Sequence, residues 1–284
     1  MTVSALLAPG IPQKCLEPFK DTNIAFQIGF PPQTKPDAAL IFGGDGTVHR
    51  YLPLLYANKI PMLVVPKGSG NDFARALGIG SEKVALRAWK EFCATGKNFR
   101  QIDLGLIRNS KEETLFCCVV GAGLDGEANA RANRMPRWLR GSAAYLLAAM
   151  QALVSFHPAE IQVTADARQE KRLALLIAVG NAHRYGGGVK IAPRASLEDG
   201  LLDICLVGQI SKLKVLFCLP IIYFGGHTRL KEVEYFQARR VRIESNPVLD
   251  LYADGELVCQ TPVEISLQPK SLPVIVPPEG CYTL

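Results

Sequence analysis

The sequence predicts a doubly wound α/β domain with a parallel sheet, followed by a larger, mainly antiparallel β-sandwich domain with inserted helices. In about the first hundred residues, short apolar segments alternate with glycine-rich turns and helix-like segments, which is typical of a parallel sheet. After about Asp103, strand-like segments dominate, which favours a two-layer sandwich. The predicted domains are 1–104 and 105–270, and residues 271–284 are expected to return to the first domain as one more strand.

The predicted elements follow this division. In the first domain, strands are predicted at Val3–Ala8, Ile24–Ile28, Ala38–Phe42 and Pro61–Val65, and helices at Val48–Tyr56, Asp72–Leu77 and Glu82–Thr95. In the second, strands are predicted at Leu115–Val120, Glu160–Ala165, Leu173–Val179, Leu202–Val207, Val241–Ser245, Leu249–Ala253 and Pro262–Leu267. Two helices are predicted within it, at Gly141–Phe156 and Ser211–Phe224.

The composition excludes several classes of protein. The chain has 284 residues, of which 48% are hydrophobic and 20% charged, so disordered and fibrous proteins are excluded. Its eight cysteines include no CxxC pair, which argues against a zinc or disulfide framework and for a reducing compartment. The apolar segments Gly141–Phe156 and Leu213–Gly226 fall short of the ~18 residues that a membrane span needs, and no signal peptide is evident. We therefore expect a cytoplasmic protein.

The strongest local motif is GGDGT at residues 43–47, directly after a buried strand. Gly43, Gly44 and Gly46 lack Cβ atoms, so their N–H groups can approach phosphate oxygens closely. Thr47 adds a hydroxyl near a helix N-terminus, where anions are stabilised. Asp45 suits a metal ion or a hydroxyl better than an anion. An ordinary tight turn is the alternative interpretation of this motif on its own.

A second glycine-rich turn, PKGSGND at residues 66–72, follows the next predicted strand. Ser69 and neighbouring N–H groups, including that of Gly68, can bind phosphate, and Asn71 or Asp72 can cap the following helix. A purely structural capping role for Asn71 and Asp72 remains the alternative.

These two motifs together resemble the nucleotide-binding half of the diacylglycerol kinase catalytic family, which includes bacterial lipid kinases and the related sphingosine and ceramide kinases. Further segments similar to the family's motifs follow in the family's order. They are the segments at residues 120–127 (VGAGLDGE), 179–188 (VGNAHRYGGG), 192–203 (APRASLEDGLLD) and 254–256 (DGE). The resemblance thus extends over roughly residues 38–256.

The resemblance implies an ATP-dependent lipid kinase that phosphorylates a lipid hydroxyl. Diacylglycerol is the favoured acceptor, and a sphingoid base, ceramide and phosphatidylglycerol are the other candidates. ATP would be bound by the two glycine-rich turns, through Gly43, Gly44, Gly46, Thr47, Gly68, Ser69 and Asn71. Asp45 would also belong to the network around a catalytic Mg²⁺. Glu256 would be the general base on the lipid hydroxyl, supported by Asp254, because an alcohol near neutral pH needs a carboxylate within reach. An ordinary β-turn is the structural alternative for the DGE segment.

The resemblance also implies a structural Mg²⁺ bound by the Asp199 carboxylate and by the backbone carbonyls of Ser196 and Leu201. Hard cations prefer such oxygen ligands. The same Asp199-Gly200 pair also suits a turn between two strands, and both interpretations can hold.

Two further features of the sequence each allow two interpretations. Asp125 is placed near the substrate or the hinge between the domains. Arg131, Arg134, Arg137 and Arg140 recur at three-residue spacing, and they form either a basic face for acidic lipid headgroups or a solvated helix face. We therefore expect transient contact with a membrane surface, and a homodimer is left open.

The chain departs from the family at two places that concern the nucleotide. The ending of the first strand is replaced by Leu6–Gly10, with a helix compressed into Pro12–Lys20, and His49-Arg50 follows the GGDGT motif where the family often has Asn-Glu. Both changes bear on ATP binding.

Two other functions compete with the lipid kinase. An NAD-kinase-like enzyme would share the GGDG motif, but the segments around Asp199 and Glu256 favour the lipid kinase. A non-catalytic lipid- or nucleotide-binding relative needs no base, so the intact carboxylates argue against it. A nucleic-acid binder is disfavoured because the net charge of +6 is modest and no helix-turn-helix or aromatic platform is evident.

Overall fold

A computed structural model describes residues 1–21, 23–29, 35–135 and 142–278. The chain divides into two compact units. The first contains residues 1–102 together with the chain from Pro269 onward, and the second contains Asp103–Gln268.

The first unit is a parallel α/β structure. Its strands are β1 (Thr2–Leu7), β2 (Ala25–Ile28), β3 (Ala38–Gly43) and β4 (Met62–Pro66), and its helices are α1 (Asp45–Asn58), α2 (Asp72–Ala76) and α3 (Glu82–Thr95). The strands lie in the order β4-β3-β1-β2 and all pair in parallel. Val274, near the end of the described chain, pairs in parallel with Met62, so the last strand adds to this sheet.

The strands and helices of this unit form where the sequence supplies buried apolar segments and helix caps. Every residue of β3 is buried, as expected for a central strand covered on both faces. Helix α3 begins after Ser81, whose hydroxyl accepts from the N–H of Val84, and ends at Gly96 in the left-handed conformation. The segment Gln13–Phe19 forms a 3₁₀ helix where a compressed helix was predicted. The backbone carbonyl of Phe19, the last residue of this 3₁₀ helix, accepts a hydrogen bond from the buried indole N–H of Trp89 at 3.0 Å.

The second unit is an antiparallel sandwich with inserted helices. Strand β5 (Phe99–Arg108) enters it from the first unit and pairs with β6 (Glu113–Phe116). The remaining elements are β7 (Val119–Gly123), α4 (Leu124–Arg134), α5 (Ser142–Ser155), β8 (Ala159–Ala165), β9 (Arg168–Gly180), β10 (Leu202–Gly208), α6 (Lys212–Tyr223), a 3₁₀ helix (Gly226–Arg229), β11 (Val233–Ala238), β12 (Arg240–Asn246), β13 (Asp250–Ala253), β14 (Glu256–Gln260) and β15 (Val263–Ile275).

Strand β9 organises this unit because it pairs with three other strands. Its first half pairs with β8, and its second half lies between β7 and β10, all antiparallel. The sheet continues from β8 through β12 to β15, and from β7 through β13 to β14. Alternate residues of these strands form one apolar core that includes Phe116, Ile161 and Ile204.

The predicted fold class is confirmed, with local corrections. The strand predicted at Leu115–Val120 is two strands, because the chain bends at Cys117-Cys118 between β6 and β7. Helix α4 and strands β5, β11 and β14 were not predicted. Among the described residues, no helix is long and apolar enough to cross a membrane.

Candidate active site

The first glycine-rich turn joins β3 to helix α1. Gly44 precedes the helix in extended backbone, with φ −112° and ψ −166°, and offers it no side-chain cap. Because the first N–H groups of a helix have no acceptor within the helix, those at the start of α1 suit an anion. A Cβ on Gly43 would lie 2.4 Å from Oγ1 of Thr47, so glycine is needed there to leave room for the hydroxyl.

The second glycine-rich turn follows β4 and touches the first. A Cβ on Gly68 would lie 2.5 Å from the Cα of Gly44, and the N–H of Lys67 donates to the carbonyl of Gly43 at 3.0 Å. Ser69 is exposed beside this contact. The structure thus brings the two predicted phosphate-binding turns together where the neighbouring strands β3 and β4 end, the usual place for ligands in parallel sheets.

The carboxylate of Asp45 connects these turns to helix α2. It accepts hydrogen bonds from the N–H of Asp72 at 3.1 Å and from the N–H of Phe73 at 3.0 Å. It therefore caps α2 from a distant position in the sequence. The interpretation of Asp45 as a purely ligand-directed carboxylate was incomplete, because the residue also stabilises the second turn.

Asn71 closes its own turn rather than capping the helix that follows. It stands in the left-handed conformation at φ 56°, and its amide both accepts from the N–H of Gly68 at 2.8 Å and donates to the Gly68 carbonyl at 2.7 Å. The prediction that its side chain caps α2 is wrong, because this conformation directs the amide toward Gly68. Asp72 lies within the first turn of α2, with its carboxylate 3.8 Å from the guanidinium of Arg75.

The DGE segment forms the hairpin turn between β13 and β14. Asp254 and Gly255 have φ of 51° and 88°, the positive values of the tight turn for which Asp-Gly is preferred. The Asp254 carboxylate accepts hydrogen bonds from the N–H groups of Cys117 and Cys118, both at 2.8 Å, and so fixes the hairpin to the chain before β7. Glu256 follows as the exposed first residue of β14.

The predicted magnesium ligands lie in a tight turn before β10. One Asp199 oxygen accepts from the N–H of Leu201 at 3.1 Å, and the Ser196 hydroxyl accepts from the N–H of Glu198 at 3.3 Å. Asp199 is exposed, and the predicted donors are all oxygens, so the set fits a hard cation chemically. Within the described ranges, no group of three or more His, Cys, Asp or Glu could hold a metal. The Mg²⁺ site, with its single carboxylate, stays a prediction.

The buried carboxylate of Asp125 lies at the start of α4 among hydroxyl groups. Asp125 is 3% exposed, and it accepts a short hydrogen bond from the hydroxyl of Tyr145. Burial raises the pKa of Asp125 to about 6, although hydrogen bonds with Tyr145 and Tyr185 lower it. A Cβ on Gly121 would lie 1.7 Å from its carboxylate, so the carboxylate occupies space that only a glycine leaves open.

This polar cluster lines an apolar cavity of about 450 Å³ in the second unit. Helices α4, α5 and α6 and the strands β9 and β10 enclose it, and its apolar wall includes Leu124, Ala128, Leu146, Met150, Leu176 and Leu216. A volume of this size is typical of sites for small molecules. The sequence placed Asp125 near either the substrate or the hinge between the domains, and it indicated neither the tyrosines nor the cavity.

His227 adds a second polar group to the wall of this cavity. It is 1% exposed, and its Nε2 lies 3.1 Å from the carbonyl of Ile191. Burial lowers the pKa of His227, which favours the neutral ring. Because a carbonyl only accepts, Nε2 carries the proton, and Nδ1 is left as an acceptor with no partner among the described residues.

The predicted basic face is described only in part. Arg131 and Arg134 lie on α4, whereas Arg137 and Arg140 are outside the described residues. Arg131 pairs with Glu127 at 2.8 Å and also donates to the hydroxyl of Ser155 at 2.8 Å. Arg131 is therefore engaged within the protein, and the two interpretations of these arginines, a basic face for lipid headgroups or a solvated helix face, both stay predictions.

Two solved structures share the fold of this chain. A putative diacylglycerol kinase from Bacillus anthracis str. Sterne superposes with a TM-score of 0.76 at 21% identity, covering 98% of this chain and 97% of that one. An NAD kinase from Archaeoglobus fulgidus superposes with a TM-score of 0.56 at 12% identity, covering 99% and 94%. At these identities the likeness shows the fold alone.

Sequence comparisons give the family. Residues 27–107 match the diacylglycerol kinase catalytic domain, and residues 118–276 match the YegS C-terminal NAD kinase beta sandwich-like domain. The chain is 36% identical to a diacylglycerol kinase of Mycobacterium tuberculosis, in a match that covers 86% of this chain and 78% of the relative. It is 30% identical to a probable YegS-like lipid kinase of Pseudomonas aeruginosa, in a match that covers 83% of this chain and 75% of that relative. The chain therefore belongs to the family of diacylglycerol kinases and YegS-like lipid kinases.

Proposed function

We propose that this protein transfers the γ-phosphoryl group of ATP to the hydroxyl of diacylglycerol, giving phosphatidic acid. The observation that carries the choice of a lipid acceptor is the apolar cavity of about 450 Å³ in the second unit. Its size and apolar lining suit an acyl chain, whereas a dinucleotide needs polar and charged contacts along its length. Membership of a family of lipid kinases supports the same acceptor class.

In this proposal, the two touching glycine-rich turns bind the ATP phosphates. The N–H groups at the start of α1 supply donors, and the hydroxyls of Thr47 and Ser69 add to them. Transfer of a phosphoryl group depends mainly on positioning and charge stabilisation, so a rigid cradle is what this chemistry requires. The close approach of Gly44 and Gly68 supports such a cradle, because it holds the two turns directly against each other.

Glu256 is the proposed general base, and Asp254 holds the hairpin that carries it. An exposed carboxylate can take the proton of an incoming hydroxyl, while the Asp254 carboxylate is already engaged by two backbone N–H groups. Mg²⁺ is the proposed metal, and its role would be to neutralise charge on the phosphates.

A phosphate-transfer assay over a panel of acceptors tests this function. Labelled ATP and Mg²⁺ are supplied with diacylglycerol, ceramide, a sphingoid base, phosphatidylglycerol and NAD in separate reactions. We expect the highest kcat/KM with diacylglycerol. Preferential phosphorylation of NAD would overturn the proposal in favour of the NAD-kinase-like enzyme. Phosphorylation of none of the acceptors would overturn it in favour of the non-catalytic binder.

A cavity-filling variant links the activity to the site. Ala149 lines the cavity, so Ala149→Phe places a large ring where the acyl chain is proposed to lie. We expect at least a ~10-fold loss in kcat/KM for diacylglycerol, with unchanged ATP affinity. Ala149→Ser, which adds little volume, is the matched control and should stay close to the parent protein.

A further inference from the structure

The exposed apolar side chains of this protein are concentrated on α5 and α6. Ten of the seventeen large hydrophobic residues exposed in the described chain lie on these two helices or directly after α6. They are Leu146, Leu147, Met150 and Val154 from α5, and Leu213, Leu216, Phe217, Ile221, Tyr223 and Phe224 from α6 and its C-cap. Val154, Phe217 and Phe224 are about three-quarters exposed, at 75%, 75% and 74%. We call this set the α5–α6 face.

The two helices present one connected surface. They pack against each other, and the ammonium group of Lys212 at the start of α6 donates to the carbonyl of Val154 near the end of α5 at 2.5 Å. Large contiguous apolar patches are uncommon on soluble monomers and mark surfaces that contact another apolar phase. We therefore expect the α5–α6 face to be covered by an apolar partner.

The same face opens into the cavity. Leu146, Met150, Leu216, Tyr223 and Phe224 are exposed and also line the cavity wall. A second copy of the chain bound to this face would cover these residues and block access from the surface to the cavity. A lipid bilayer would instead bring acyl chains directly to it.

The charges around the face favour an anionic surface. The segment from Gln209 to Lys231 carries four cationic side chains, Lys212, Lys214, Arg229 and Lys231, and no carboxylate, and α5 has no charged residue. Of these cations, Lys214 pairs with Glu232 at 2.7 Å, while Arg229 and Lys231 are exposed. Cations beside an apolar face attract anionic lipid headgroups, each contributing modestly.

The lengths of the helices determine how they can meet a membrane. Helices α5 and α6 have 14 and 12 residues, whereas about 20 are needed to span the hydrocarbon core. Both are apolar enough to enter the boundary between headgroups and acyl chains while lying flat in it.

We propose that the α5–α6 face docks onto an anionic lipid bilayer and admits an acyl chain from that bilayer into the cavity. Docking stands on the exposed side chains and the charges alone. Only the identity of the admitted lipid as a kinase substrate rests on the proposed function.

Vesicle flotation tests the docking without any kinase reaction. The full chain is mixed with vesicles of equal parts phosphatidylglycerol and phosphatidylcholine, with no diacylglycerol and no ATP. Phe217→Glu and Val154→Glu change one highly exposed residue on each helix, and neither residue lines the cavity. Each is expected to lower the partition coefficient at least ~10-fold, the loss expected when one large apolar side chain no longer leaves water.

Val248→Glu is the matched control, since Val248 is 57% exposed but lies between β12 and β13. It should float like the parent protein. Equal flotation of all four proteins would overturn the docking surface, and equal flotation with pure phosphatidylcholine vesicles would overturn the anionic preference. A lipid-free dimer in sedimentation velocity that Phe217→Glu converts to a monomer would assign the face to a second copy instead.

Activity in detergent separates this inference from the proposed function. With diacylglycerol dispersed in mixed micelles, Phe217→Glu should keep the parent rate, because the acceptor no longer has to be reached in a bilayer. A protein that floats normally but phosphorylates no lipid would support docking while contradicting the kinase proposal. A protein active in micelles whose variants all float equally would support the kinase proposal while contradicting docking.

Discussion

The carboxylate of Asp45 accepts a hydrogen bond from the N–H of Phe73 at 3.0 Å, although 28 positions separate the two residues in the sequence. This bond, with its partner at Asp72, joins the GGDGT turn to the helix of the second glycine-rich turn. The residue expected to act in catalysis thus also stabilises the contact between the two glycine-rich turns, so its substitutions have two separable consequences.

Asp45→Ala and Asp45→Asn should separate these two roles. Alanine removes both acceptors, and loss of a helix cap costs about 1 kcal/mol, which corresponds to a Tm roughly 2–4 °C lower for a protein of this size. Asparagine keeps one oxygen acceptor, so its Tm should lie closer to that of the parent protein. Both variants should lose at least ~10²-fold in kcat, because neither carries the negative charge. Near-normal kcat in Asp45→Asn would remove the carboxylate from the reaction and leave only the cap.

Gly68→Ala should weaken ATP binding by disturbing the contact between the two turns. The new Cβ would lie 2.5 Å from the Cα of Gly44, a backbone atom that cannot move aside cheaply. We expect ATP affinity, measured by calorimetry, to fall at least ~10-fold. Gly80→Ala makes the same change where no atom lies within 4 Å, so its ATP affinity should be unchanged. Equal affinities in the two variants would show that the close approach of the turns is not needed for the nucleotide.

The fold class could be predicted because it depends on local patterns. Short buried segments such as β3 and glycine-rich turns are visible in consecutive residues, and the sequence separates the parallel part from the antiparallel part. Helix α4 was missed because its sequence, LDGEANARANR, has few apolar residues and no clear helical period. Strand β14 was missed because it is short and has no buried residue, so apolar alternation is absent.

The parts of the site that depend on distant residues could not be predicted. Asp125 meets Tyr145 from another helix, and Tyr185 from a loop, so no local motif contains the cluster. The cap that Asp45 provides to α2 depends in the same way on how two turns pack. A tyrosine within the mainly apolar helix α5 was an available signal, because a buried hydroxyl needs a partner.

Asp254→Ala and Glu256→Gln should affect different properties. Removing the Asp254 carboxylate leaves the N–H groups of Cys117 and Cys118 without this acceptor, and a lost buried acceptor costs about 1–3 kcal/mol. Asp254→Ala should therefore lower the free energy of unfolding. Glu256→Gln changes an exposed side chain, so the free energy of unfolding should stay within about 0.5 kcal/mol of the parent value.

The kinetics of Glu256→Gln test its role as the base. Glutamine keeps the size of the side chain but cannot take a proton, so kcat should fall ~10²–10⁴-fold while ATP affinity is kept. The acidic limb of the profile of kcat against pH should also disappear. A near-normal kcat with an unaltered acidic limb would assign the proton to Asp254 or Asp45, and Asp254→Asn measured in parallel would then distinguish these two.

Asp125 should make stability depend on pH in a defined window. Burial raises the pKa of its carboxyl from 3.8 to about 6, so between these values the folded protein keeps a proton that the unfolded chain releases. As the pH rises across this window, the free energy of unfolding therefore falls by about 3 kcal/mol in total. Above about pH 6 the ionisation of Asp125 has no further effect on the free energy of unfolding. The stabilisation is fully present below about pH 4 and lost by about pH 6.

Comparison with Asp125→Asn isolates this contribution. The free energy of unfolding of the parent protein should fall relative to that of Asp125→Asn as the pH rises from 4 to 6, because asparagine does not ionise. Tyr145→Phe removes a hydrogen bond that lowers the pKa of Asp125, so the fall should extend to higher pH in that variant. Denaturant unfolding at each pH measures these differences. A constant difference between the parent protein and Asp125→Asn from pH 4 to 7 would show that the carboxyl of Asp125 titrates alike in the folded and unfolded chains.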